Sequence, residues 1–324
     1  MQNLTETSAD CESAKPNCKM IRYHFTEAEL IADLKADDLA KGRREGWLEK
    51  AKRLTRDLKK PKKKIGGIWS EVKSVYTTRQ KGKCAFCERL LGVHELSSVE
   101  FDVEHFRPKN AVKAWPPQEL IDELELPADF PRSKGKERGY RMLAYHHLNY
   151  ASSCKTCNSR LKGSYFPIAG RHSFAGQNPA TLLKSEKPYL IYPLGDFDSD
   201  PEELITFEGY EAVPQRHLKG HDLDRARASI VFFRLNGERD DLYLLRAAQL
   251  DSVRDKVELL NAAKNEKARK RRWDEILRLA DDANPHAGCV RAFVRLYSTD
   301  RKRALQYLDL AHAYVEKKLR PWSP

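Results

Sequence analysis

Two Cys-x-x-Cys pairs, Cys84-Ala-Phe-Cys87 and Cys154-Lys-Thr-Cys157, constrain this 324-residue chain more than any other feature. Each pair presents two thiolates from one tight knuckle, and two knuckles make a tetrahedral sulfur site suited to Zn2+. The stretch 88–153 between them exceeds the spacing of a simple zinc ribbon. It fits a treble-clef-like arrangement with a hairpin and an insertion between the knuckles. The alternative, two redox-active or merely buried pairs, fits less well, because redox Cys-x-x-Cys motifs usually occur singly. A zinc with four protein thiolates has no open position, so this one is structural and catalysis must come from elsewhere.

The cysteine count is seven, and Cys11, Cys18 and Cys289 read as unpaired thiols. The four-thiolate reading presumes a reducing compartment. No run of 18 apolar residues exists, and the polar N-terminus lacks the basic start and apolar middle of a secretion signal. A cytoplasmic address with no membrane partner is expected. The net charge of +12 is concentrated: residues 41–83 hold sixteen Lys or Arg against four acids. That stripe has the sign needed to attract a phosphate backbone. The alternative is a solvated helix face followed by the lysine run LKKPKKK.

Apolar spacing predicts two helices between Glu27 and Leu58 with a break near Gly42. A short helix follows over IWSEVKSVYTTRQ, with Ile68, Val72 and Val75 on one face. From Val99 to Glu104 apolar and acidic residues alternate, which predicts a strand with Asp102 and Glu104 on its non-core face, ended by Pro108. Residues 113–139, rich in proline and charge, read as an insertion. YLIYP (189–193) and LITF (204–207) are strand candidates. Beyond His217 the pattern is helical, over 222–235, from Asp240 past Lys270, and over 273–279, 287–296 and 301–319.

Between the knuckles lies FDVEHFRPK, residues 101–109, in which Glu104 and His105 are adjacent. Asn149 and Asn158 bracket the second knuckle. A carboxylate and an amide oxygen are hard ligands suited to Mg2+ or Mn2+, not competitors for the zinc thiolates. A neutral imidazole beside such a metal can deprotonate water. Arg107 reads as a phosphate clamp or as a salt bridge holding the turn. Asp102 is either a supplementary acid or an ordinary strand residue. His146 and His147 invite a ligand reading, but an aromatic segment such as LAYHHLNY more often packs or exposes such residues, and His217 and His221, four apart, lack a third ligand.

The Glu-His pair on a strand, an asparagine nine residues before the one that follows Cys157, and the flanking knuckles together resemble the HNH nucleases of the ββα-metal fold. That resemblance implies an α+β chain with a zinc-stapled ββα-metal (treble-clef-like) HNH core embedded in a mainly helical chain. It implies that Glu104 and Asn158 bind Mg2+ or Mn2+, that His105 is the general base, and that Asn149 fixes the loop orienting His105. Many such proteins carry a lysine three residues after the last asparagine. Lys162 stands four residues on and is the candidate phosphate contact.

The phrases KCAFCE, VEHFRPK, NYASSCKTCNSRLKGSYFP, YLIYP and RARASIVFFRLN are similar to bacterial HNH proteins of the Septu and retron type. Those work in phage defence beside an ATPase related to the chromosome-maintenance and repair ATPases. The implied reaction is hydrolysis of DNA phosphodiester bonds, with RNA an open alternative, leaving 5'-phosphate and 3'-hydroxyl ends. The expected organisation is a basic N-terminal helical region (1–78), a nuclease core (79–175, insertion at about 113–139) and a mainly helical C-terminal region (176–324). The rival reading is a non-catalytic zinc-finger protein that binds nucleic acid or a partner.

Overall fold

The capping box Thr26-x-x-Glu29 starts the first helix. The Thr26 hydroxyl accepts the Glu29 N–H at 3.2 Å and the Glu29 carboxylate accepts the Thr26 N–H at 2.7 Å, satisfying two donors that a helix start leaves open. The computed structural model describes residues 22–60, 63–92, 101–237 and 241–319. Cys11, Cys18, Pro61, Lys62, Val99 and Glu100 lie outside the described residues.

Helices α1 (Glu27–Ala40) and α2 (Trp47–Asp57) flank the expected break. Asp38 of α1 accepts the Trp47 N–H at 2.9 Å, so the first helix caps the second. A 3-10 turn, Trp69–Val72, runs into α3 (Lys73–Arg79), with Ile68, Val72 and Val75 buried. Strand β1 (Phe101–His105) pairs antiparallel with β2 (Tyr150–Cys154) in the register Phe101 to Cys154 and His105 to Tyr150. The other edge of β2 is closed by a side chain. Gln80 donates to the Ser152 carbonyl at 2.8 Å and accepts the Ser152 N–H at 2.7 Å, standing in for a third strand. A seven-residue helical segment, Thr156–Lys162, follows β2 directly.

Between the strands the insertion carries α4 (Gln118–Glu123) and is bridged at Val112 to Lys136 and at Trp115 to Ser133. Gly139 closes its base: a Cβ there collides with the Asn110 carbonyl, so no larger residue fits. After the core come α5 (Pro179–Glu186), α6 (Pro201–Leu204), the hairpin β3 (Ile205–Glu208) with β4 (Glu211–Pro214), and α7 (Gly220–Phe232). Last are α8 (Leu242–Asn261), α9 (Glu266–Leu279), α10 (Ala287–Thr299) and α11 (Arg301–Leu319), with α11 lying along α8. One apolar cluster runs from Tyr23 to Val315.

Three expectations need correcting. YLIYP forms no strand: it is a buried segment tied by the Tyr23 N–H to the Pro193 carbonyl, with Tyr192 donating to the Tyr150 carbonyl at 2.6 Å. The helix expected past Lys270 is two: the first ends at Asn261, and Asn265 caps α9 by accepting the Ala268 N–H. Glu104, expected on the non-core face of its strand, is nonetheless buried, since the segment Thr156–Lys162 covers that face of β1 and leaves the residue 6% exposed. No helix among the described residues is long and apolar enough to cross a membrane.

Candidate metal and catalytic site

The β1–β2 register puts two groups of side chains at opposite ends of one hairpin. At the Cys154 end the four sulfurs of Cys84, Cys87, Cys154 and Cys157 lie within 4.8 Å of one another, all buried. Cys87 Sγ and Cys154 Sγ stand 3.9 Å apart, close to the edge of roughly 3.8 Å that Zn–S bonds of about 2.3 Å give in a tetrahedron. The knuckle geometry comes from backbone N–H groups aimed at sulfur: Cys154 N to Cys84 Sγ at 3.4 Å, and Cys157 N to Cys154 Sγ at 3.5 Å. Burial opposes ionisation of Cys84, yet hydrogen bonds from the neighbouring thiols hold it well below the usual thiol range, while burial drives Cys157 well above it. Four sulfurs competing for few negative charges is a conflict that a divalent cation resolves, because it lets every ligand ionise. The donor set and spacing therefore fit zinc.

At the other end, His105 is buried between Trp69 and Tyr150, whose rings stand edge-on at 4.7 and 5.0 Å. Its Nε2 bonds the Ala144 carbonyl at 3.0 Å, which fixes the proton on Nε2 and leaves the Nδ1 lone pair as acceptor. Burial, with help from Lys109, pushes its pKa down to about 3. Glu104 pairs with Lys162, Nζ to Oε1 at 2.9 Å, and Lys162 also donates to the His105 carbonyl at 3.1 Å. Burial raises the Glu104 pKa above its usual value, opposed first by Lys162.

Asn149 is buried and uses its whole amide. Its Oδ1 accepts the Arg107 N–H at 2.8 Å, and its Nδ2 donates to the carbonyls of Arg107 and Leu143 at 3.0 and 3.1 Å. It thereby clamps the chain just past His105 to the turn that carries Ala144. Asn158 lies on the helical segment one turn before Lys162, partly exposed. Arg107, read from the sequence as a phosphate clamp or a salt bridge holding the turn, is fully buried and donates to Glu186 at 2.8 Å, with Tyr140 and the Ser173 N–H completing the carboxylate. Lys162 is likewise fully buried, so neither cation faces solvent. Asp102 pairs at the surface with Lys155.

Among the described residues the four cysteines are the only group of three or more His, Cys, Asp or Glu side chains placed to share an ion. His146 instead accepts the Leu148 N–H, and His147 bonds Glu27. Cys289 is buried, pushed up to about 12 by burial, and donates to the His286 carbonyl. A second ion at Glu104 and Asn158 would have two protein oxygens, with water and phosphate for the rest. Mg2+ commonly binds this way, since it sheds water reluctantly.

No family model matches the chain, and no solved structure does. Over 137 residues it is 31% identical to Septu protein PtuB of Bacillus mycoides (strain KBAB4). The match covers 42% of this chain and 38% of the relative, so the chain spans well under half of that protein's length. Sequence similarity thus links part of the chain to the Septu proteins.

Two residues of the centre escaped the sequence reading. Lys109 sets its ammonium 4.4 Å over the Trp69 ring, and its charge acts on both Glu104 and His105. Lys109 stood within FDVEHFRPK, four residues after His105, and that spacing was its only signal. Trp69 had none, because its approach to His105 depends on how α3 docks on β2.

Proposed function

We propose that the chain is a metal-dependent HNH-type endonuclease that hydrolyses DNA phosphodiester bonds, acting in anti-phage defence with an ATPase partner. The observation that carries the reading is the adjacency of Glu104 and His105 on β1, with Asn149 locking one side and Lys162 the other. Similarity to Septu protein PtuB supports the defence setting. In this reading His105 takes the proton of the attacking water on Nδ1, since Nε2 is committed to Ala144. Glu104 and Asn158 would hold Mg2+ or Mn2+, which would supply charge stabilisation at the phosphoryl and leaving oxygens. Lys162 opposes the rise that burial gives the Glu104 pKa and so favours the carboxylate. Asn149 and Arg107 act as braces.

The rival, a non-catalytic zinc-stapled binding protein, draws on the pairing of Glu104 with Lys162 inside the chain. One experiment separates the two. Plasmid cleavage by the full chain with its ATPase partner and Mg2+ or Mn2+ is expected to drop by at least about 100-fold in His105→Ala, the scale of a lost general base, with zinc content unchanged and the fold retained. Cleavage at the wild-type rate in that variant would remove His105 from the reaction, and the absence of any metal-dependent cleavage in the wild type would favour the rival.

A further inference from the structure

A cleft of about 650 Å3 opens between α1, α2 and the segment 142–147. Its volume lies in the range of roughly 300–1,000 Å3 typical of small-molecule sites. Ile31, Leu48, Ala51 and Met142 supply its apolar lining, and Lys35, Lys52 and Arg56 its positive charge, against the single acid Glu49. The three cations differ from many of their neighbours in the basic window. Lys41 and Arg43 are paired with Asp37, Lys50 with Glu71, Arg53 with Glu45, Lys60 with Asp57 and Arg79 with Asp33. Among the described residues Lys35, Lys52 and Arg56 have no such partner, and all three are exposed.

The facing wall carries His146 and His147, their rings stacked at 4.7 Å and 15°. Burial lowers both pKa values, that of His146 to about 3, which favours the neutral rings, while Glu27 opposes the shift at His147. Neutral stacked rings beside unpaired cations match a ligand with one flat aromatic part and one phosphate. We propose that this cleft binds a nucleotide, its phosphate on Lys35, Lys52 and Arg56 and its base against the His146–His147 stack.

The placement gives the site a consequence. Ala144 lies within the same segment, and its carbonyl accepts both His105 Nε2 at 3.0 Å and the Tyr150 hydroxyl at 2.5 Å. An occupant therefore leans on the turn that orients His105. Binding itself does not depend on the nuclease reading, because no group of the cleft takes part in bond cleavage.

A free nucleotide and one residue of a single strand share this chemistry, and the test separates them. Zinc-loaded full chain, with no other divalent cation added, is titrated with ATP by calorimetry and with a labelled single-stranded oligonucleotide by anisotropy. The expected result is saturable one-to-one binding of at least one probe. The double variant Lys52→Glu/Arg56→Glu should weaken it by tenfold or more on the scale of about 1.4 kcal/mol per decade, with zinc content and melting unchanged. Lys35→Glu serves as a second variant. A matched control, Arg44→Glu/Lys59→Glu, makes the same charge change on exposed residues outside the cleft. ATP that binds and displaces the oligonucleotide identifies a free-nucleotide site, whereas oligonucleotide binding that ATP leaves untouched identifies a strand. Failure of both probes to bind, or an equal loss in the control variant, overturns the proposal.

Discussion

At one end of the β1–β2 hairpin four thiols stand within 4.8 Å of one another and need only an ion between them. At the other end, about 13 Å away for four residues of strand, a buried carboxylate and a buried imidazole are held by groups from distant parts of the chain. Lys162 pairs Glu104, Asn149 clamps the Arg107 backbone, Ala144 fixes the His105 tautomer, and Trp69 walls the ring. The thiol end is complete in its own ligands. The Glu104–His105 end depends on its surroundings. Sites of the first kind hold a fold together, and sites of the second kind keep reactive groups poised.

This contrast predicts unequal responses to single changes. The largest belongs to the thiol end: Cys154→Ala, or zinc removal by chelator, should abolish cooperative melting, since structural zinc contributes on the order of 10 kcal/mol or more to folding. Metal analysis with thermal melting checks this, and a folded zinc-free variant would break the comparison.

At the Glu104–His105 end Lys162→Met leaves Glu104 buried and uncompensated, at a cost of about 3–5 kcal/mol. Adding Glu104→Gln should recover much of that loss in denaturant melts. Losses that merely add would show that the pair is not coupled.

A smaller effect sharpens the contrast by pH. His286 is buried beyond the first knuckle, and burial, then Arg246, pushes its pKa down to about 3. Its folded value lies below its unfolded one, so the unfolded chain binds more protons between pH 6.5 and about 3. The stability it contributes is present above pH 6.5 and lost as pH falls through that window, by at most about 1.4 kcal/mol per unit. Thiol protonation releases zinc with the same sign, so only a variant isolates the histidine. His286→Asn, which tolerates the left-handed backbone there (φ +52°), should flatten the curve below pH 6.5. Parallel curves would contradict it.

What was legible in the sequence follows the same division. The cysteine pairs announce their chemistry by residue type and spacing, and apolar spacing with the break at Gly42 marks the N-terminal helices. Glu104 and His105 were visible as a pair, but their environment was not. Period two assigned Glu104 to the non-core face because alternation senses the two faces of a strand and not a third layer laid over one of them. Lys162 reaches back from beyond the second knuckle, and Glu186 claims Arg107 across 79 positions. Such partners are set by tertiary docking, which local pattern does not encode. YLIYP failed for a related reason: an apolar run reads as a strand whether or not another strand lies beside it.

The central claim is that one hairpin serves two different cations, sulfur-bound zinc at one end and a hard ion at Glu104 and Asn158 at the other. Electron paramagnetic resonance of zinc-loaded protein titrated with Mn2+ tests it most directly. One bound Mn2+ per chain is expected, lost in Glu104→Ala and in Asn158→Ala while zinc stays at one per chain. Undiminished Mn2+ binding in Glu104→Ala, or no bound Mn2+ in the wild type, would contradict it.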